Sequence, residues 1–196
     1  MPFSKTQVCN LALNSIGQES IVTFDEDSKN GELCRLCYDF VLLLMLNKST
    51  WKFSKRRITL DQEELPPPAW GYLHRFALPS DCLRVIMDDD EYTSYNCSQG
   101  YKIEDNYVLT NSDSVNILYV SKDVNIQHAS PVFISAFVAR LAAQMVIRGE
   151  GTESMLQNMT ALEQERFLEA ALIEDNEGSY AKKPSSWIDV RYTYGR

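Results

Sequence analysis

Ser130-Pro131-Val132-Phe133-Ile134-Ser135-Ala136-Phe137-Val138-Ala139-Arg140-Leu141-Ala142-Ala143-Gln144-Met145 is the stretch on which the fold turns. Ser130 is a good N-cap, and Pro131 follows at the first helical position, where its missing N–H costs nothing. Phe133, Ala136, Phe137, Ala139, Leu141, Ala142, Ala143 and Met145 then supply a helix whose small residues permit close approach of a second helix. Helical spacing thus returns here after a long region with strand character, which sets the order as helices, sheet, helices.

Before this stretch, Ile58 and Leu60 alternate with polar residues. Val85, Tyr92, Tyr95, Tyr101, Ile103, Tyr107, Leu109, Val115, Ile117 and Tyr119 fall in short runs separated by turn chemistry. Glu104-Asp105-Asn106 and Asn111-Ser112-Asp113 read as the tips of consecutive hairpins. Pro66-Pro67-Pro68 is a stiff extended segment that cannot occupy a central strand. After the stretch, Gly149-Glu150-Gly151 turns the chain and Thr152 caps a last helix reaching about Asn176, with Met155, Leu156, Met159, Leu162, Phe167 and Leu168 as its apolar content.

At the other end, Ser4-Lys5-Thr6-Gln7 is a capping box. Val8, Leu11, Ala12 and Ile16 follow on one face, and Gly17 supplies a left-handed stop. Asp27 or Ser28 caps a second helix to about Ser49, with Leu33, Leu36, Cys37, Phe40, Val41 and Leu44 in a single stripe. From Phe40 to Leu46 that helix is apolar all round, so it is either covered by other helices or meets a neighbouring subunit. Leu42, Leu43 and Leu46 are the candidate inter-subunit residues on the second alternative. The expected fold class is α+β: a four-helix bundle with an antiparallel β domain inserted between helices two and three, and an extended C-terminal tail. The expected boundaries are 1–52 and 129–178 for the two halves of the bundle, 53–128 for the insertion and 179–196 for the tail.

The tail combines Lys182, Lys183, Trp187, Arg191, Tyr192 and Tyr194 with proline and serine, the composition of a segment ordered by a partner. Residues 181–196 carry a net +3, so the net −8 of the chain leaves −11 on the remaining 180 residues. An acidic body argues against gripping nucleic acid, since that affinity comes from Lys and Arg displacing counterions, but not against letting DNA slide past. Lys55-Arg56-Arg57, beside Trp51 and Phe53, is the one basic cluster with aromatic company, and pairing with carboxylates of an adjacent subunit is its favoured reading.

No chemistry declares itself. Five cysteines are an odd number without disulfide-framework spacing. Cys34-x-x-Cys37 lacks a second CxxC, and His74 and His128 stand far apart, so the thiols are expected in the core and no metal site is expected. Asp88-Asp89-Asp90-Glu91 has the spacing of a solvated turn rather than of a calcium loop. No phosphate loop, HExxH or nucleophile elbow occurs, and neither a catalytic residue nor a cofactor is expected. Acids such as Glu19, Asp25, Glu26, Asp27 and Glu32 are numerous enough to keep a cell-wall hydrolase as a rival, and a small protein-binding module is a second. Met1-Pro2-Phe3-Ser4-Lys5 does not read as a secretory signal, and the unbroken apolar run Phe40 to Leu46 is far shorter than the roughly 20 residues of a membrane span. Cytoplasmic synthesis and no membrane partner are expected.

Taken together, Cys9-Asn10-Leu11-Ala12-Leu13-Asn14-Ser15-Ile16-Gly17, the Cys34 to Tyr38 helix, Trp51-Lys52-Phe53, Trp70-Gly71-Tyr72, Leu78-Pro79-Ser80-Asp81-Cys82-Leu83-Arg84-Val85 and the alanine-rich helix from Phe133 to Met145 resemble the tail tubular protein A family of short-tailed bacteriophages. The resemblance rests on order and spacing over residues 4 to 190. It implies a non-enzymatic virion protein: a twelvefold ring of side-by-side helical bundles that joins the portal to the tail nozzle and lines the channel through which double-stranded DNA passes. It further implies docking under the portal by the C-terminal segment and β domains presented to the nozzle, with tail fibres as further neighbours.

Overall fold

A computed structural model of the chain describes residues 3–61, 66–86, 100–149 and 151–178. The protein is mixed α+β, with four helices and two small antiparallel sheets among the described residues. Helices α1 (Lys5–Ser15) and α2 (Lys29–Lys48) come first, and a short 3-10 turn (Lys52–Ser54) leads into the strands. These are β1 (Lys55–Asp61), β2 (His74–Ala77), β3 (Cys82–Ile86), β4 (Tyr101–Glu104), β5 (Tyr107–Thr110) and β6 (Ser114–Ser121). A second 3-10 turn (Ile126–His128) precedes α3 (Pro131–Arg148) and α4 (Glu153–Gly178).

The helix ends follow the sequence closely. Ser4 Oγ accepts from Gln7 N while Gln7 Oε1 accepts from Ser4 N, so both halves of the capping box are formed. At the other end of α1, Gly17 takes φ 72°, Gln18 N donates to Leu13 O and Gly17 N to Asn14 O, the paired bonds of a Schellman stop. Ser28 rather than Asp27 caps α2, accepting from Gly31 N. Ser130 caps α3 through Phe133 N, with Pro131 in the first turn, and Thr152 accepts from Met155 N at the start of α4. The α3–α4 corner is tight: a Cβ on Gly151 would strike the Val146 side chain, so only glycine fits.

The centre of the helical part is α3, against which α1, α2 and α4 each pack. Phe133, Ala136, Phe137, Ala139, Leu141, Ala142, Ala143 and Met145 are all buried, as their spacing requires. By length and composition α3 is also long and apolar enough to cross a membrane, although Arg140 and Gln144 interrupt its apolar run; its buried side chains are those of a core helix. Trp51 fixes the exit from α2. Its ring stands edge-on to Phe133 and Phe167, and its Nε1 donates to Met45 O at 2.7 Å.

The strands correct the expectation of consecutive hairpins. Asp105-Asn106 is a hairpin tip, with β4 and β5 paired from Tyr101↔Thr110 to Glu104↔Tyr107 and Asp105 at φ 53°. Asn111-Ser112-Asp113 is not a tip, because β5 belongs to the sheet β2-β5-β4 and β6 to the sheet β1-β6-β3. The chain changes sheets at that bend. The pairings of β6 are long-range in sequence, with Ile58↔Ile117 on one side and Val85↔Tyr119 on the other. Alternation on β6 splits the packing: Val120 joins the helical core, whereas Val115, Ile117 and Tyr119 join Phe76, Leu78 and Val108 of the second sheet in a separate cluster. The sheet β1-β6-β3 is therefore the middle layer between the helices and the sheet β2-β5-β4.

Candidate interaction surfaces

Helix α2 does not bury the stripe read from its sequence. Cys34, Cys37, Tyr38, Val41, Leu42, Met45 and Leu46 face the core, while Leu36, Phe40, Leu43 and Leu44 turn outward at 53, 47, 39 and 38% exposure. A helix apolar all round from Phe40 to Leu46 offers more than one arc for burial, and α3 selects the arc led by Tyr38, whose ring meets Phe137 edge-on at 5.2 Å. Among the proposed inter-subunit leucines, Leu46 and Leu42 are thereby corrected: they sit inside the core of their own chain, and Leu43 alone of the three presents a face to the outside.

A groove of about 360 Å³ lies on another side of α3, with Ile134, Ser135 and Val138 as its floor, Leu11 of α1 on one wall and Leu162 and Arg166 of α4 on the other. Leu11, placed by the sequence in the buried stripe of α1, is 42% exposed here. Cys9 and Leu13 take the core positions instead.

Lys55, Arg56 and Arg57 are all exposed, on the edge strand β1. Cations on an edge strand also discourage uncontrolled strand addition. Arg56 also has partners within its own chain: its guanidinium donates to Asp123 O at 3.1 Å and lies 3.8 Å from the Asp81 carboxylate, with half of the side chain still exposed. Asp81 is the last residue of Leu78-Pro79-Ser80-Asp81, and this step joins β3 to the end of β6. Ser121 Oγ donates to its carboxylate at 2.7 Å, Tyr119 Oη donates at 3.2 Å, and Asp81 O accepts from Lys122 N at 2.8 Å. The Ser121 hydrogen bond, with further help from Tyr119 and Arg56, holds the Asp81 carboxyl below its usual range against the opposing effect of burial.

Between this corner and the start of α1 lies a cleft of about 560 Å³ lined by Lys5, Tyr38, Asp39, Arg56, Lys122 and Asp123 among others. Lys5 Nζ stands 5.3 Å from the centre of the Tyr38 ring. The buried Tyr38 hydroxyl has no hydrogen-bond partner among the described residues, and burial raises its pKa. Cations and carboxylates are mixed along this cleft.

Two glutamates on α4 escape a reading by composition. Glu163 and Glu174 are both buried. Glu163 accepts from Arg140 of α3 at 2.9 Å and from Lys48 of α2 at 3.3 Å, and Lys48 Nζ also lies 3.9 Å from the centre of the Phe167 ring. Glu174 accepts from Lys52 N at 3.2 Å and from Ser130 Oγ at 2.8 Å. One carboxylate therefore holds both places where the chain passes between helices and strands. The available signal is positional: both acids fall in the helical stripe that contains Met159, Phe167 and Ala170.

Cys9, Cys34 and Cys37 are buried free thiols, in agreement with the core reading, whereas Cys82 is only half-buried and Cys97 lies outside the described residues. Hydrogen bonding to Cys34, then burial, push the Cys9 thiol far up, and burial pushes up that of Cys37. No cluster of three or more His, Cys, Asp and Glu with metal-binding geometry occurs among the described residues. Lys182, Lys183, Trp187, Arg191, Tyr192 and Tyr194 lie outside the described residues, as does the Asp88 to Glu91 run. No protein-family model and no curated protein matches the chain.

Proposed function

We propose that the chain is a structural subunit of a ring-shaped phage head-to-tail adaptor of the tail tubular protein A type. In this reading it is made in the host cytoplasm and carried in the virion at the portal–nozzle junction. Copies of the chain, twelve in the family the sequence resembles, stand side by side around the channel for double-stranded DNA. The finer architecture is a four-helix bundle with residues 53–128 inserted as an antiparallel β domain. Glu174 supports that arrangement, since its bonds to Lys52 and Ser130 bring both ends of the insertion to one end of the helices.

The observation that carries the proposal is the outward apolar ridge Leu36, Phe40, Leu43 and Leu44 on α2. A helix flanking the core of a monomer keeps its outer face polar, and apolar area left in water is released on association at about 25 cal/mol per Å². The acidic body suits a channel wall that repels phosphates and so prevents sticking during DNA passage. Lys182, Lys183, Trp187, Arg191, Tyr192 and Tyr194 are assigned to portal docking, and Lys55, Arg56 and Arg57 to contact with an adjacent subunit. The test is negative-stain imaging of the purified chain mixed with the portal protein of the same genome. Rings capping the portal are expected, and a compact monomer indifferent to portal overturns the proposal.

A further inference from the structure

We infer that the α2 ridge of one copy docks into the groove between α1, α3 and α4 of the next copy, making the subunit contact head-to-tail. The inference rests on the ring reading above and adds which two surfaces meet.

The ridge and the groove are unlike in shape. The ridge is convex and built from long side chains, Leu36, Phe40, Leu43 and Leu44. The groove floor includes Ser135, an exposed small residue at which a second helix can approach closely. They also lie on different sides of the same central helix: α2 packs on α3 through Phe137, while the groove opens over Ser135 and Val138. A self-complementary two-fold contact uses one patch twice, whereas two unlike patches on different sides of a subunit generate rings or filaments.

Charge favours a second copy as the occupant. Glu32 and Asp39 are exposed on the flank of the ridge, and Arg166 stands on the groove wall. Within its own chain Arg166 meets only the exposed Glu169 among the described ion pairs, at 3.2 Å, a contact of little net worth that an incoming carboxylate can share or displace. A docked ridge places Asp39 or Glu32 near Arg166 while Phe40 and Leu43 fill the apolar floor. Burial of the same leucines against lipid or a small ligand leaves that charge match unused.

The experiment uses two full-length variants, each disabling one surface at an exposed position so that the fold is retained. Phe40→Asp removes the ridge and Leu11→Asp disables the groove wall. Wild-type protein, each variant and their equimolar mixture are compared by sedimentation velocity over a wide concentration range, alone and with portal. The wild type is expected to associate beyond a dimer, each variant alone to remain monomeric, and the mixture to recover a 1:1 heterodimer and nothing larger, because it retains one intact ridge and one intact groove. Circular dichroism and the unfolding midpoint of each variant show that loss of association is not loss of fold; if either variant fails to fold, Leu43→Asp and Ser135→Arg replace the pair. A wild type that associates while the mixture stays monomeric overturns the ridge-to-groove pairing and leaves the ring reading standing. A wild type monomeric under every condition overturns both.

Discussion

Replacing Glu174 by alanine removes the acceptor of two hydrogen bonds, from Lys52 N at 3.2 Å and from Ser130 Oγ at 2.8 Å, at a site only 6% exposed. Hydrogen bonds to a charged group are worth about 1.5–3 kcal/mol each, so the pair amounts to about 3–6 kcal/mol. Relief of the cost of keeping a carboxylate out of water offsets part of this and leaves a loss of about 3 kcal/mol. For a chain of this size that corresponds to a fall in the unfolding midpoint of about 6–12 °C. Glu174→Gln keeps one acceptor oxygen and is expected to lose about half as much. Urea unfolding gives the stability, and amide exchange locates the effect: Lys52 should exchange faster in the alanine variant, and so should Phe133, whose N–H is capped by the same Ser130 hydroxyl. A Glu174→Ala variant within about 0.5 kcal/mol of wild type, the range of ordinary surface changes, refutes the assignment of Glu174 as the clamp between helices and strands.

The two leucines that the sequence placed together should separate in the test tube. Leu46→Ala empties a fully buried position and is expected to cost about 2–5 kcal/mol, whereas Leu43→Ala should cost less than about 1 kcal/mol in the monomer; comparable losses in urea unfolding would contradict the burial pattern. Because the folded pKa of Asp81 is depressed, its contribution is present above the unfolded value of about 3.9 and is lost as pH falls through the lower folded value. The stability gap between wild type and Asp81→Asn should therefore hold steady from pH 7 down to about 4 and narrow below it, and a gap that does not change with pH would count against the Ser121–Asp81 network. Cys9, Cys34 and Cys37 should resist a thiol reagent in the native protein and react fully in denaturant, and rapid native labelling of any of the three would contradict their burial. Deleting residues 184–196 should leave a folded protein that no longer binds portal, and retained binding would remove the docking role from Trp187, Arg191, Tyr192 and Tyr194.

Residues whose role is local were legible from the sequence. The capping box at Ser4 and Gln7, the stop at Gly17 and the Ser130-Pro131 start each depend on neighbours within a few positions, and each has its expected hydrogen bonds. The α3 core is equally readable because its apolar and small residues occupy one consistent period. Helix α2 was not, because its run from Phe40 to Leu46 is apolar on every side and carries no period that says which arc α3 will cover. Leu36, Phe40 and Leu44, read as one stripe with Cys37 and Val41, were the side left out. The split into two sheets was hidden for a related reason. Alternation fixes which face a side chain takes but not which strand it pairs with, and the bend at Asn111-Ser112-Asp113 has the composition of a hairpin tip without being one. Glu163 and Glu174 are acids in an apolar stripe, which marks them as paired; their partners Lys48, Lys52, Ser130 and Arg140 come from other elements and become visible only in the fold.

The most direct test of the central claim is the mass of the particle formed on purified portal by the wild-type chain and by Phe40→Asp, measured by mass photometry. A closed ring held by the α2 ridge predicts a single heavy species for the wild type, and for Phe40→Asp its replacement by portal carrying scattered single copies. Equal masses for the two proteins, or portal left bare by the wild type, would contradict it.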